Sequence, residues 1–162
     1  MFALVDLSYS TATAAEFLLR LLVPARQFFR RVSLCAYVDA PVEISVEGGH
    51  IVPHAPIDLN ARSDFGKVLS GVAEHHALSI RRNTVVLVLG DARNNRRPPR
   101  ADLLARFRDR VRTVFWLNPE PPERWNTGDS VMAAYARRAD FVLAAHDLHT
   151  LGAAMARLSR AG

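Results

Sequence analysis

The chain has 162 residues, 49% of them hydrophobic and 23% charged, the balance of an ordinary globular domain long enough to bury a core. No apolar run reaches the roughly 18 residues of a membrane span, and the opening "MFALVDLSYS" lacks the basic leader of a signal peptide. The net charge of +5 comes from 21 basic residues, of which Lys67 alone is lysine, against 16 acidic ones. That balance permits an acidic or nucleic-acid partner, and it equally describes a solvated arginine-rich surface. Cys35 is the single cysteine, so no internal disulfide can form. Together these features fit a protein of the reducing cytoplasm.

In chain order, "FALVDL" (2–7) is the first predicted strand. Its near-continuous apolar character is that of a strand covered on both faces. In 12–29, Phe17, Leu18, Leu21, Leu22, Ala25, Phe28 and Phe29 recur at helical spacing, and Pro24 should kink or restart that helix. "VSLCAYV" (32–38) is a second strand, with Cys35 as a small core residue. "VEISVEGGHIV" (42–52) alternates around Gly48-Gly49 and reads as an antiparallel edge strand that the glycines can turn into a hairpin. A helix over 64–78 turns Phe65, Val68, Leu69 and Val72 inward. The strand "TVVLVLG" (84–90) precedes a helix over 101–111 carrying Leu103, Leu104, Phe107 and Val111. "TVFWLN" (113–118), a short helix over 130–138 capped by Asp129, "FVLAA" (141–145) and a helix over 147–159 complete the chain.

This alternation predicts an α/β fold: a doubly wound, mostly parallel six-stranded sheet of order 3-2-1-4-5-6, with one antiparallel edge strand and helices on both faces. Residues 1–162 form a single domain, and a strand starting almost at Met1 suits either a bare domain or an excerpt from a longer chain.

Ligands of open parallel sheets bind beyond the carboxyl ends of the strands, where the strand order switches direction. Asp6 ends the first strand and Asp91 follows "TVVLVLG". Ser8 and Ser10 lie on the turn into the first helix, and Ser63 in the loop "NARSDFG" (60–66). In an extended turn alternate residues point the same way, so Asp6, Ser8 and Ser10 can converge on one ion. Two carboxylates and three hydroxyls are hard ligands, suited to Mg²⁺, with Mn²⁺ or Ca²⁺ as variants. The competing reading of Asp6 and its serines is a helix N-cap. The histidines show no ligand spacing, and His75 and His76 point about 100° apart on a helix. Trp116 reads as core and Trp125 as the anchor of the loop "PEPPERWNTGD".

The stretch Asp6-Leu7-Ser8-Tyr9-Ser10 resembles the D-x-S-x-S motif of von Willebrand factor A (VWA) domains, which forms a metal-ion-dependent adhesion site, or MIDAS. Ser63 stands at that family's second-loop threonine and Asp91 at its third-loop aspartate. "VLGDARNN" (88–95), "FWLNPEP" (115–121), "TGDSVMAAYARRAD" (127–140) and "NARSDFG" are similar to the CoxE-like bacterial branch, and together span nearly the whole chain. Tyr9 replaces the glycine of many A domains, Ser63 lacks the threonine methyl that helps hold a rotamer, and Asp64 is a competing ligand.

The resemblance implies a Rossmann-like VWA fold and a non-enzymatic role. It implies metal-ion-dependent protein–protein interaction, with a partner's acidic residue completing the metal shell. It further implies an adaptor acting with a MoxR-type AAA+ ATPase in maturation or remodelling of a client protein. Tyr9, Asp64, Arg93, Asn94, Arg96 and Arg97 are the expected partner-binding residues, the arginines forming a basic rim. Two rival readings remain. One is a Mg²⁺-dependent phosphoryl-transfer or hydrolase domain using Asp6 and Asp91. The other, weaker, is nucleic-acid binding through the arginine-rich loop "DARNNRRPPR" (91–100).

Overall fold

Five consecutive buried residues, Phe2–Asp6, make β1, the strand on which the rest is arranged. A computed structural model of the chain describes residues 1–12, 14, 15, 28–48 and 50–161, and the predicted helix over 12–29 with its Pro24 kink falls largely outside them. The strands that follow are β2 (Ser33–Tyr37), β3 (Pro41–Glu47), β4 (His50–Pro53), β5 (Val85–Leu89), β6 (Thr113–Asn118) and β7 (Phe141–Ala144). The described helices are α1 (Phe65–His75), α2 (Ala101–Arg108), α3 (Met132–Ala136) and α4 (Leu148–Ser159).

The sheet has seven strands in the order β4-β3-β2-β1-β5-β6-β7. β2, β1, β5, β6 and β7 pair in parallel, while β3 is antiparallel to both β2 and β4. The expected order is therefore present, with one correction. The stretch read as a single edge strand is two strands, and "VEISV" lies inside the sheet with β4 as the edge. Gly48, at φ +57°, supplies the left-handed backbone that the turn needs. The two residues between β3 and β4 then bring Glu47 opposite His50.

The alternation of side chains along β1 divides the core. Ala3 and Val5 face one layer with Leu151, Ala154 and Leu158 of α4. Phe2 and Leu4 face the other, with Val68 and Leu69 of α1, Leu104 and Phe107 of α2 and Tyr135 of α3. Each fully buried leucine or phenylalanine contributes roughly 1.5–3 kcal/mol relative to exposure. Trp116 is wholly buried, as expected. It stacks on Tyr135 and donates from Nε1 to Gly90 O at 2.8 Å. Trp125 anchors its loop through Nε1 to Glu120 O at 2.9 Å.

Caps set the helix limits. Asp64 accepts from Lys67 N at 3.0 Å and starts α1. Asp147 and Thr150 form a capping box at the start of α4. Asp129 does not cap the helix that follows it. Its carboxylate is taken by Arg93 and by Asn95 N, and Asn126 Oδ1 accepts from Ala133 N instead. His76 and His75, adjacent in the chain, part company in the fold. The His76 side chain is folded in beside Cys35 and the Phe2 ring, while His75 stays exposed.

Candidate metal-binding site

β1 and β5 are neighbours, with Val5 opposite Leu89, so Asp6 and Gly90 lie level at the carboxyl edge of the sheet. The strand order turns back at this pair: β2 lies on one side of β1 and β5 on the other. Glycine at 90 is required by this approach. A Cβ there would stand 2.7 Å from the Tyr37 hydroxyl and 3.4 Å from Asp6 Oδ2.

Three loops contribute to the site. In the first, Ser8 N donates to Asp6 Oδ1 at 2.8 Å, and the Ser8 and Ser10 hydroxyls are 3.4 Å apart. The two serines therefore share one side of the turn. Ser10 Oγ reaches across to Asp91 Oδ2 at 2.7 Å, joining the first loop to the third. Thr11, buried and not singled out from the sequence, pins the turn by donating to Asp6 O at 2.9 Å. The legible signal was a third hydroxyl directly after the D-x-S-x-S motif.

The second loop is clamped to the third. Asn94 Oδ1 accepts from Phe65 N at 2.9 Å, and Asn95 Nδ2 donates to Ser63 O at 2.9 Å. Ser63 is buried, and among the described residues its Oγ has no hydrogen-bond partner. A buried hydroxyl left without a partner costs about 1–3 kcal/mol, so its place calls for a ligand. Asp64 is committed to the α1 cap, with Arg97 Nε 3.7 Å from its other oxygen.

The third loop runs from Asp91 through four left-handed residues, Ala92, Asn95, Arg96 and Arg100. For non-glycine residues that conformation is held by surrounding bonds. Here Ser130 Oγ donates to Asp91 O at 3.0 Å, Val131 N to Ala92 O at 2.9 Å, and Arg93 N to Asp91 Oδ1 at 2.9 Å.

Two of the expected partner contacts are corrected by this geometry. Asn94 is fully buried and braces the loops, so it cannot meet a partner at the surface. Arg93 is not part of a free rim. Its guanidinium is held by Glu120 at 2.7 Å and Asp129 at 3.1 Å, with Asp91 Oδ2 at 3.6 Å. Tyr9 is wholly exposed, and Arg96 and Arg97 are exposed.

The electrostatics favour a cation. Burial pushes the Asp6 carboxyl up to about 7, and the neighbouring Asp91 charge adds to the rise. Asp91 is also raised, by burial first and then by Glu120, against the opposing bonds from Arg93 N and Ser10. Among the described residues no three His, Cys, Asp or Glu side chains gather as a metal-binding group. The set here is two carboxylates and three hydroxyls, and hard donors of that kind fit Mg²⁺ chemistry.

A doubly wound sheet with a strand-end aspartate, a hydroxyl-bearing turn and a second aspartate on the neighbouring strand defines a VWA-type domain. The comparisons agree: residues 1–153 match the family described as "VWA domain containing CoxE-like protein", and the chain belongs to that family. No curated protein sequence matches it. Among solved structures it is similar to a von Willebrand factor type A protein from Catenulispora acidiphila. That likeness has a TM-score of 0.63 at 12% identity and covers 98% of this chain and 41% of that one. It is also similar to proximal thread matrix protein 1 from the mussel byssus, with a TM-score of 0.62 at 13% identity, covering 98% of this chain and 44% of that one. At such identities the likeness is one of fold, and the chain spans less than half of each of those proteins. Membership of the VWA family supports a protein-interaction module of the adaptor type. No described helix is long and apolar enough to cross a membrane.

Proposed function

We propose that this chain is a metal-ion-dependent protein–protein interaction module. Asp6, Ser8, Ser10, Ser63 and Asp91 would hold Mg²⁺, or Mn²⁺ or Ca²⁺ in its place. The cation would supply a positive centre that accepts a carboxylate from an acidic residue of the partner. The observation that carries this reading is the buried Ser63 hydroxyl, without a partner among the described residues, at a site with two buried carboxylates whose pKa values are raised. Tyr9, fully exposed beside the motif, offers that partner an aromatic contact. Arg96 and Arg97 flank the site and favour an acidic approach. The role proposed is binding, not turnover, in the cytoplasm. The CoxE-like family supports a finer reading, an adaptor working with a MoxR-type AAA+ ATPase on a client protein.

The test is a thermal melt in EDTA and with Mg²⁺ or Mn²⁺, for the wild type, Asp6→Ala and Ser63→Ala. A ligand that binds only the folded state adds about 2.7 kcal/mol at a hundred times its Kd, a rise of roughly 5–10 °C for a domain of this size. Wild type should show that rise, Ser63→Ala a smaller one and Asp6→Ala none. In EDTA, Asp6→Ala should be at least as stable as wild type. No shift at millimolar metal would refute the cation site. Metal-dependent hydrolysis of a simple phosphoester that vanishes in Asp6→Ala would replace binding by the hydrolase reading.

A further inference from the structure

The opposite pole of the sheet, where β1, β2 and β5 begin, carries a feature that the cation site does not use. A cleft of about 620 Å³ opens there, and its described lining includes Arg30, Arg31, Arg81 and Arg112 with no aspartate or glutamate. Among the described residues Arg93 pairs with Glu120, Arg97 with Asp64, Arg100 with Asp102 and Arg108 with Asp140, all away from this cleft, while Arg112 is itself engaged. Arg30, Arg31 and Arg81 are exposed. Two large apolar side chains at the same cleft are also exposed, Phe28 by 50% and Leu78 by 80%.

The basic groups are carried on braced backbone. Arg81 Nε donates to Leu78 O at 2.6 Å, which aims the guanidinium while leaving its fork of Nη donors. Thr84 closes the same turn, donating from N to Arg81 O at 2.8 Å and from Oγ1 to Ser79 O at 2.9 Å. Beside Arg30 and Arg31, Ser33 N donates to Met1 O at 3.0 Å and fixes the entry into β2. Arginine forks match carboxylates two bonds at a time, and the Arg81 fork is already aimed by its bond to Leu78 O.

We propose that this cleft docks an acidic segment of a protein partner, its carboxylates on Arg30, Arg31 and Arg81 and an apolar side chain against Phe28 and Leu78. A concave site of this volume takes a few residues of extended peptide. Single-stranded nucleic acid is gripped by successive exposed aromatic platforms, and Phe28 is the one exposed ring among the described lining residues. The cleft lies at the far end of the strands from Asp6, so it stands or falls independently of the cation site. An adaptor that joins two proteins needs two such separate surfaces.

The experiment is fluorescence anisotropy of a fluorescein-labelled peptide of glutamates flanking a central leucine, titrated with the whole chain in EDTA. An oligothymidylate of equal charge serves as competitor. The peptide should bind, and binding should weaken as salt rises. The Arg30→Glu/Arg31→Glu double variant should lose about tenfold or more in affinity. Arg81→Gln should lose less, while Arg96→Glu/Arg97→Glu at the other pole should bind normally. Asp6→Ala should also bind normally, which separates this outcome from any failure of the metal reading. If the double variant melts early, the neutral pair Arg30→Gln/Arg31→Gln is measured in its place. No binding, binding indifferent to Arg30 and Arg31, or displacement by the oligothymidylate at lower concentration than unlabelled peptide would overturn the proposal.

Discussion

Asp6 is buried among groups that give its charge little relief. Its folded pKa is about 7 because burial removes water from the carboxylate and Asp91 stands close by. An unfolded aspartate titrates near about 3.9. Between these values the folded protein keeps the proton and the unfolded chain has lost it. Metal-free stability should therefore fall as pH rises from about 4 to about 7 and level off above. Asp6→Asn should flatten that slope and be the more stable protein at neutral pH in EDTA, as urea denaturation across pH will show. The same proton competes with metal, so the Mg²⁺-induced rise in midpoint should shrink below the folded pKa. At Gly90 the constraint is steric. A methyl group placed 2.7 Å from the buried Tyr37 hydroxyl has nowhere to go. Gly90→Ala should cost about 1–3 kcal/mol and weaken the metal response, because the displaced neighbours are Tyr37 and Asp6. Thermal melts with and without Mg²⁺ measure both effects.

Among the elements, the third loop is the structural surprise. From the sequence, the arginines after Asp91 formed one basic rim. In the fold the first of them turns inward, and Arg93 ties Glu120 and Asp129 to the loop beside Asp91. Sequence spacing located Arg93 correctly beside the site but did not tell which distant carboxylates would surround it. Glu120 lies in the turn just past β6 and Asp129 in the segment before α3. Arg93→Ala should cost about 1–3 kcal/mol, since it strips the partner from part-buried carboxylates. A purely solvated rim arginine would cost almost nothing. Denaturant titrations of Arg93→Ala beside Arg96→Ala separate the two roles. Asn94 and Asn95 make the same point about loops. From the sequence Asn94 was expected to meet a partner, yet the fold turns it and Asn95 to the second loop, holding Phe65 N and Ser63 O.

For the whole molecule, one sheet supports both poles, and its central strands are buried on two faces. Leu87 of β5 is fully buried between neighbours on β1 and β6. Leu87→Ala should cost about 2–5 kcal/mol, and urea unfolding followed by two probes should remain a single transition. The sequence by itself determined most of the described strands and helices, the class of sheet, and which oxygen-bearing side chains gather at the end of β1. These are local matters: apolar runs report burial on both faces, helical spacing reports one buried stripe, and D-x-S-x-S places its oxygens within one turn. It also allowed the hairpin at Gly48 without deciding whether β4 was a strand of its own, since a short polar edge segment gains its hydrogen bonds only from its neighbour. Only the tertiary structure decided that Arg93 faces inward, that Asn94 is buried, that the Ser63 hydroxyl lacks a partner among the described residues, and that Arg30, Arg31, Arg81 and Arg112 share one cleft. Each of these joins residues far apart in the chain. Their meeting depends on how the strands stack side by side, which no local periodicity encodes.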